Sequence, residues 1–541
     1  MKKILFLALA AFLTQFAFAQ QPAEDWAHKN PLTDSIAGIN LAGAYDLLKG
    51  RDGKDVIVAV IDDGVDVDHE DLINVMWTNE DEIAGNGIDD DNNGYVDDIH
   101  GWNFMAAPDG KTYYFDQAEV TQIYQMWREK YDDADASTLN KDELREYEIY
   151  LEAKKGHEEG YAAAVERWEL VKDTNALVQT MQNLNARVSS GIEWSQEALE
   201  SMEPQNALEE RVQTFMASLG AERFDSMEEM ITYIRQRLGR IYTGAFNNVE
   251  FAYNADYYPR KMVGDNPAIA NESNYGGPTI YNAQPEYASR AIASHGSHVS
   301  GIIAAERNNG KGMNGVSDHA KIMMVGAVPS SGDERDKDVA NAIRYAVDNG
   351  ASIINMSFGK LMSPHKPAVD AAYKYAEDHD VLIVHLSHNF ATDIDSTYYY
   401  PIRKALNGYV PQNVIRVGNS TWNMDDHLPA ASSNYGAELV DVFAPGTQIY
   451  STVPDDKYAF FTGTSMATPC VAGLAALLRS YFPDLTAVET KQIIKDSVFK
   501  IDWEVIRPGV RDKVPMTRLC NTGGVVNAYN AVKLALEREK E

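Results

Sequence analysis

The chain has 541 residues, 45% hydrophobic and 24% charged, a globular composition that allows a sizeable core in one large domain with an insertion or in several domains. Eighty acidic residues against 48 basic ones give a net charge of −32, which excludes nucleic acid and anionic membrane surfaces as expected partners. Only two cysteines occur, Cys470 and Cys520; they could pair in an oxidising compartment, and a free buried Cys470 is the alternative.

The N-terminus differs from the rest. Lys2 and Lys3 precede an apolar run from Ile4 to Leu13, and Ala17-Phe18-Ala19 follows. This order predicts a secretory signal peptide over residues 1–19, cleaved after Ala19, and a secreted or periplasmic address. No cysteine follows the cleavage site, so a lipid anchor is not expected there. No later stretch reaches the roughly 18 uncharged apolar residues of a membrane span.

From Asp25 to Phe104 the texture is α/β. Val56-Ile57-Val58-Ala59-Val60-Ile61 is a continuous β-branched run, suited to a parallel strand buried on both faces. Over 105–244 helix formers dominate. Asn140 with Glu143 reads as a capping box, and Leu144, Tyr147, Tyr150 and Leu151 recur at helical spacing. Further helices are expected over 175–188, 207–219 and 227–241. The whole reads as an all-helical insertion built as a small bundle. The α/β texture then returns over 245–541. Strands are expected at 353–356, 381–384 and 414–417, and helices at 340–349, 369–379, 471–481 and 487–496. Alternating strands and helices predict a three-layer α/β/α fold around a mostly parallel sheet.

Three short blocks carry chemistry. "VIDDGVD" places Asp62 just past the strand ending at Ile61, at the strand end where sites assemble in open parallel sheets. "HGSHVSG" puts His295 at a helix start. "GTSMATP" puts Ser465 before the apolar helix that begins at Val471. A serine hydroxyl needs a base to take its proton, and the base needs an orienting group. Taken singly, each residue has a structural reading: a turn aspartate, a satisfied histidine, a helix cap.

Together, and in the order Asp, His, Ser, the blocks resemble the subtilisin-like serine peptidases, the subtilases. The resemblance covers residues 25–104 and 257–530. It implies a serine endopeptidase acting on polypeptides, with Ser465 as nucleophile, His295 as base and Asp62 as its orienting partner. His298 matches a structural histidine. "SHNFA" falls where the family carries its oxyanion asparagine, so Asn389 is the candidate donor. "NMSFG" resembles the substrate-binding strand, with Ser357, Phe358 and Gly359 in contact with the peptide. Leu386, Ser387 and His388 stand where small residues and a glycine are usual, so the pocket for the residue before the cut (P1) is expected to be narrowed or reshaped, with a preference for smaller side chains or an otherwise unusual one. Asp63 replaces the commoner serine beside the catalytic aspartate. The rival reading is a catalytically silent member that uses the cleft and the insertion for binding. The insertion could cap the cleft, select substrates, bind a protein partner, or be a surface elaboration.

A second motif, "DDDNNGYVDD", sets Asp89, Asp91, Asn93 and Asp97 at the alternate positions of a calcium loop, with Gly94 at the sharp turn. His100 stands where an EF-hand needs its bidentate glutamate, so a looser structural Ca2+ loop is the expectation. A solvated acidic turn is the alternative.

Overall fold

In the structure, a computed structural model that describes residues 22–188, 193–281 and 292–540, the run after Lys54 forms strand β1, Val56–Asp62. Its side chains alternate. Val56, Val58 and Val60 join one buried core, and Ala59 and Ile61 join a second on the opposite face. A strand covered on both faces has no use for polar residues until it ends. The first is Asp62, on the same side as Val58 and Val60 by the period of two.

The remaining strands of the sheet are β2 (Gly101–Asn103), β3 (Ala320–Gly326), β4 (Ile353–Met356), β5 (Leu382–Leu386), β6 (Val414–Ser420), β7 (Val442–Pro445), β8 (Phe499–Lys500) and β9 (Gly524–Val525). Their spatial order is β8-β9-β7-β6-β5-β4-β1-β3-β2. All neighbours run parallel except β8, which lies antiparallel to β9 at the edge. The chain moves from β1 outward to β2 and β3, then crosses back to β4. The order therefore reverses around β1, and a crevice opens at the carboxyl ends there.

One face of the sheet is covered by the helices Leu41–Leu48, Ser294–Ala304, Thr464–Tyr481, Ala487–Asp496 and Ala528–Arg538. The other is covered by Asp336–Asp348 and Lys366–Asp378. Cys470 and Cys520 are both buried, unpaired, and in different core clusters. No helix among the described residues is long and apolar enough to cross a membrane, and the expected signal peptide lies outside the described residues.

The chain divides into two compact units, one of residues Val120–Tyr258 and the other of the chain before and after it. The helical unit therefore starts and ends later than the 105–244 expected from composition. Met105 and Tyr113 belong to the α/β core, and residue 244 falls inside the helix Met227–Asn247. Composition marks where helix formers begin, whereas packing sets the edge. Within the helical unit, Asn140 and Glu143 close the capping box of the long helix Lys141–Val171. Leu177, Met181, Leu184, Val212 and Ile231 share its core.

Several charged groups buried in the α/β unit are ion-paired. Glu119 and Asp336 both lie against Lys360 Nζ, at 2.7 and 2.8 Å. Arg260, fully buried, bonds Asp265 at 2.6 Å and Asp338 at 2.7 Å, and donates to the Tyr113 hydroxyl at 2.9 Å. Removing one partner of such a cluster strands the others without solvent. Arg260→Leu should therefore lower unfolding free energy by about 3–5 kcal/mol in denaturant titration, and a loss below about 1 kcal/mol would contradict this account.

Candidate active site

Asp62 ends β1 at 1% exposure, pointing toward the helix Ser294–Ala304. Its Oδ1 accepts from His295 Nδ1–H at 2.8 Å and from the Asp63 N–H at 2.8 Å. Its Oδ2 is buried and has no hydrogen-bond partner among the described residues. Among the described residues, the histidine ring is the one basic group bonded to this carboxylate. The helix can come this close because residue 296 is glycine: a Cβ there would lie 2.1 Å from the Gly64 carbonyl oxygen and 3.2 Å from Asp62 Cβ.

Asp63 fixes the same helix. One carboxylate oxygen accepts the Gly296 N–H at 2.9 Å and the other accepts the Ser330 hydroxyl at 2.8 Å. A carboxylate at a helix N-terminus also meets the positive end of the helix dipole. Burial, and next the charge of Asp62, raise the Asp63 pKa. Removal from solvent opposes charge on His295, but the Asp62 charge, its hydrogen bond and the Asp63 charge outweigh this and push the ring up to about 9. His298, one turn on, has a different part. It is fully buried and stacked on Phe461 at 4.3 Å, and its Nε2 lies at 3.0 and 3.1 Å from the carbonyls of Ile449 and Ala459. It ties the hairpin 449–461 to the helix, and burial holds it neutral, with a pKa lowered to about 3.

Ser465 is the second residue of the helix Thr464–Tyr481. The first amides of a helix lack intrahelical acceptors. Thr464 N–H is taken by Asn389 Oδ1 at 2.8 Å and Met466 N–H by the Gly463 carbonyl at 3.0 Å, while Ser465 N–H has no partner among the described residues. Because its Oδ1 is committed to Thr464, Asn389 keeps Nδ2 as a donor beside Gly463. The Ser465 hydroxyl donates to the Ser357 carbonyl at 3.2 Å, and among the described residues it makes no hydrogen bond to His295. The hydrogen-bond partners of these two side chains nevertheless stand on neighbouring strand ends: Ile61 pairs with Met356, so Asp62 and Ser357 leave β1 and β4 side by side, about 4.8 Å apart in strand spacing.

Of the expected substrate-contacting residues, Ser357 brackets the serine, because its own hydroxyl also donates to the Ser465 carbonyl at 3.0 Å. Phe358 turns its ring into the core, so only its backbone faces the cleft side, and its carbonyl accepts from His385 Nε2–H at 3.0 Å. Leu386 is a buried strand residue, and Ser387 directs its hydroxyl to the Asn434 carbonyl at 3.1 Å. His388 and Gly359 face each other closely.

The acidic loop is arranged differently from the simple alternation. Asp89 accepts from the amides of Asn93 and Gly94, and Asp97 from those of Asn86 and Gly87. Asn93 Oδ1 accepts from the Tyr95 amide. Asp91 instead converges with Glu82 and Asp98, with one oxygen of each within 4.8 Å of the others. Burial pushes Asp98 up to about 6, although Tyr345, Asn79 and Asn93 donate to it. Glu82 and Asp98 were not expected from the sequence; Asp98 sits beside Asp97, one place out of the alternating register.

A family model described as the subtilase family matches residues 53–529. The chain belongs to this family. The subtilase is 36% identical over 247 residues to a thermophilic serine proteinase of Bacillus sp. (strain AK1), covering 46% of this chain and 54% of that protein. It is 34% identical over 239 residues to thermitase of Thermoactinomyces vulgaris, covering 44% of this chain and 75% of thermitase. A solved cold-adapted subtilisin-like serine proteinase is 28% identical, at a TM-score of 0.34, covering 43% of this chain and 72% of that one. The chain thus spans about half the length of the first of these relatives.

With its pKa raised from 6.5 to about 9, His295 keeps its proton past the ordinary imidazole range. The ion pair with Asp62 therefore stabilises the fold fully below about pH 6.5, and that contribution is lost as pH rises through about 9. Whereas the Nδ1 proton bonded to Asp62 stays on the ring in both charge states, a proton NMR titration of this subtilase should show the Nε2 proton of His295 up to about pH 9. In Asp63→Asn it should disappear at lower pH. A ring titrating at or below 6.5 in the native chain would refute the assignment.

Proposed function

We propose that this subtilase is a secreted serine endopeptidase with Asp62, His295 and Ser465 as its catalytic triad. The observation that carries the reading is the 2.8 Å bond between Asp62 and His295 at the carboxyl end of β1, beside the end of β4, where Ser357 bonds Ser465. Ser465 attacks the scissile carbonyl once its hydroxyl swings from the Ser357 carbonyl toward His295. In its neutral form His295 accepts the proton at Nε2 and returns it to the leaving amine, so turnover should rise with pH toward about 9. Asp62 holds the imidazole with Nδ1 protonated and stabilises the imidazolium. The oxyanion is received by Ser465 N–H and Asn389 Nδ2, donors set in place before reaction, which lowers the cost of the developing charge. An extended peptide runs along the 357–359 segment through backbone hydrogen bonds.

The charged n-region, apolar run and Ala17-Phe18-Ala19 support export of the chain, and the mature protein should begin at Gln20 on N-terminal sequencing. A start at Met1 in the exported protein would remove that part of the reading.

We also propose a structural calcium ion near Asp91. Three carboxylates within 4.8 Å, two of them buried, fit a hard cation that takes several oxygens at about 2.3–2.6 Å. Glu82, Asp91 and Asp98 would hold it; Asp89 and Asp97 shape the loop through its amides.

Three measurements test these readings. A fluorophosphonate should label the native chain and not Ser465→Ala, which should also fail to cleave casein. Asn389→Ala should fold and lose about 100- to 1000-fold in kcat. A native chain that neither labels nor cleaves would favour the silent binding protein instead. Excess chelator should lower the melting temperature of the native chain but not of Asp98→Asn; an unchanged native melting curve would remove the ion.

A further inference from the structure

His388 immediately precedes Asn389 and carries two local costs. Its φ is +79°, in the left-handed region that side-chain-bearing residues avoid. Its Nε2 is buried without a hydrogen-bond partner among the described residues, in a residue only 5% exposed. A buried polar atom left unpaired is costly, and strained backbone persists only where the surroundings impose it. Glycine would remove both costs. What the ring adds is volume, and its position shows where that volume goes.

A Cβ built on Gly359 would lie 2.3 Å from both Cε1 and Nε2 of His388. The edge of the imidazole is therefore pressed against the Gly359 backbone. Tyr399 backs the ring at 4.8 Å and is itself stacked on Phe390 at 5.3 Å, so the imidazole cannot swing aside without disturbing that stack. The segments 357–359 and 387–389 leave the adjacent parallel strands β4 and β5, in which Met356 pairs with His385. A peptide carbonyl held between Ser465 and Asn389 presents the side chain of its own residue to the gap between these two segments. That gap is where the imidazole stands. Ser387 does not share in closing it, because its hydroxyl is turned to Asn434.

We propose that His388 acts as a wedge that shortens the P1 pocket, so that the enzyme cleaves after small residues, alanine or serine, in preference to leucine or phenylalanine. This rests on the peptidase reading above and names the substrate class for that site. Each methylene excluded from an apolar pocket changes selectivity by roughly 10- to 200-fold, so a whole aromatic ring should be readily distinguished.

The test uses tetrapeptide anilides that differ only in their last residue, alanine, serine, leucine or phenylalanine. In the native enzyme kcat/KM for alanine or serine should exceed that for leucine and phenylalanine by at least about 10-fold. In His388→Gly the phenylalanine-to-alanine ratio should rise by at least about 10-fold. Should the glycine variant fail to fold, His388→Ala, which also removes the ring, should raise the same ratio. A native preference for leucine or phenylalanine, or a ratio unmoved in the folded variant, overturns the inference. Fluorophosphonate labelling separates the two levels. A labelled enzyme without the small-residue preference overturns this inference alone, whereas absence of labelling and of all cleavage overturns the peptidase reading and this one with it.

Discussion

The site depends on one hydrogen bond, between a carboxylate at the end of a buried strand and an imidazole at the start of a helix. β1 can bury both faces because its first six residues are apolar, and it can deliver Asp62 because the seventh is not. The period of two decides which face the carboxylate meets. A one-residue slip would turn Asp62 away from His295 and toward the other layer. Sheet register is thus a condition of the chemistry as well as of stability. Gly296 and Asp63 complete the arrangement from the helix side, one by permitting close approach and the other by anchoring the first turn.

A second constraint is the distribution of donors at the Ser465 helix start. Three successive amides have three different fates: one binds Asn389, one turns back on Gly463, and one is left open. The asparagine contributes twice, since the oxygen that grips the helix also aims the nitrogen. Orientation here comes from a hydrogen-bonded loop held by Asn434, whose Oδ1 accepts from the amides of Phe390 and Thr392. Preorganisation of this kind rests on two asparagine side chains, each pinned by main-chain amides.

Much of this was legible in the sequence because the informative residues lie in short contiguous blocks. Asp62 follows a β-branched run, His295 and Ser465 open apolar helices, and Asn389 follows a strand. The elements that went unread have mixed signals. β3 centres on Ile322-Met323-Met324-Val325, where methionine favours helix and the apolar run is too short for periodicity to decide. β7 is four residues long and ends in proline. Glu82 and Asp98 were missed because their convergence with Asp91 is produced by loop folding, and no fixed spacing encodes it. That the Phe358 ring packs into the core was not read, because strand alternation near a strand end cannot be read without the neighbouring layer. A narrowed pocket at His388 was expected from the residue type; the contact of its ring with Gly359 needed three dimensions.

The chain leaves the α/β unit at Glu119 and re-enters at Pro259. Glu119 is ion-paired through Lys360 to Asp336, and Arg260 to Asp338, so exit and return are clamped within one turn of a single helix. A detour whose two ends are stapled together enters the host's chain entropy as a closed loop. Doubling the length of such a loop costs only about 0.6 kcal/mol in closure entropy. The host is therefore nearly indifferent to how much polypeptide is threaded between those staples. An excursion of that kind is free to grow, shrink or change its sequence without the α/β scaffold having to refold around it.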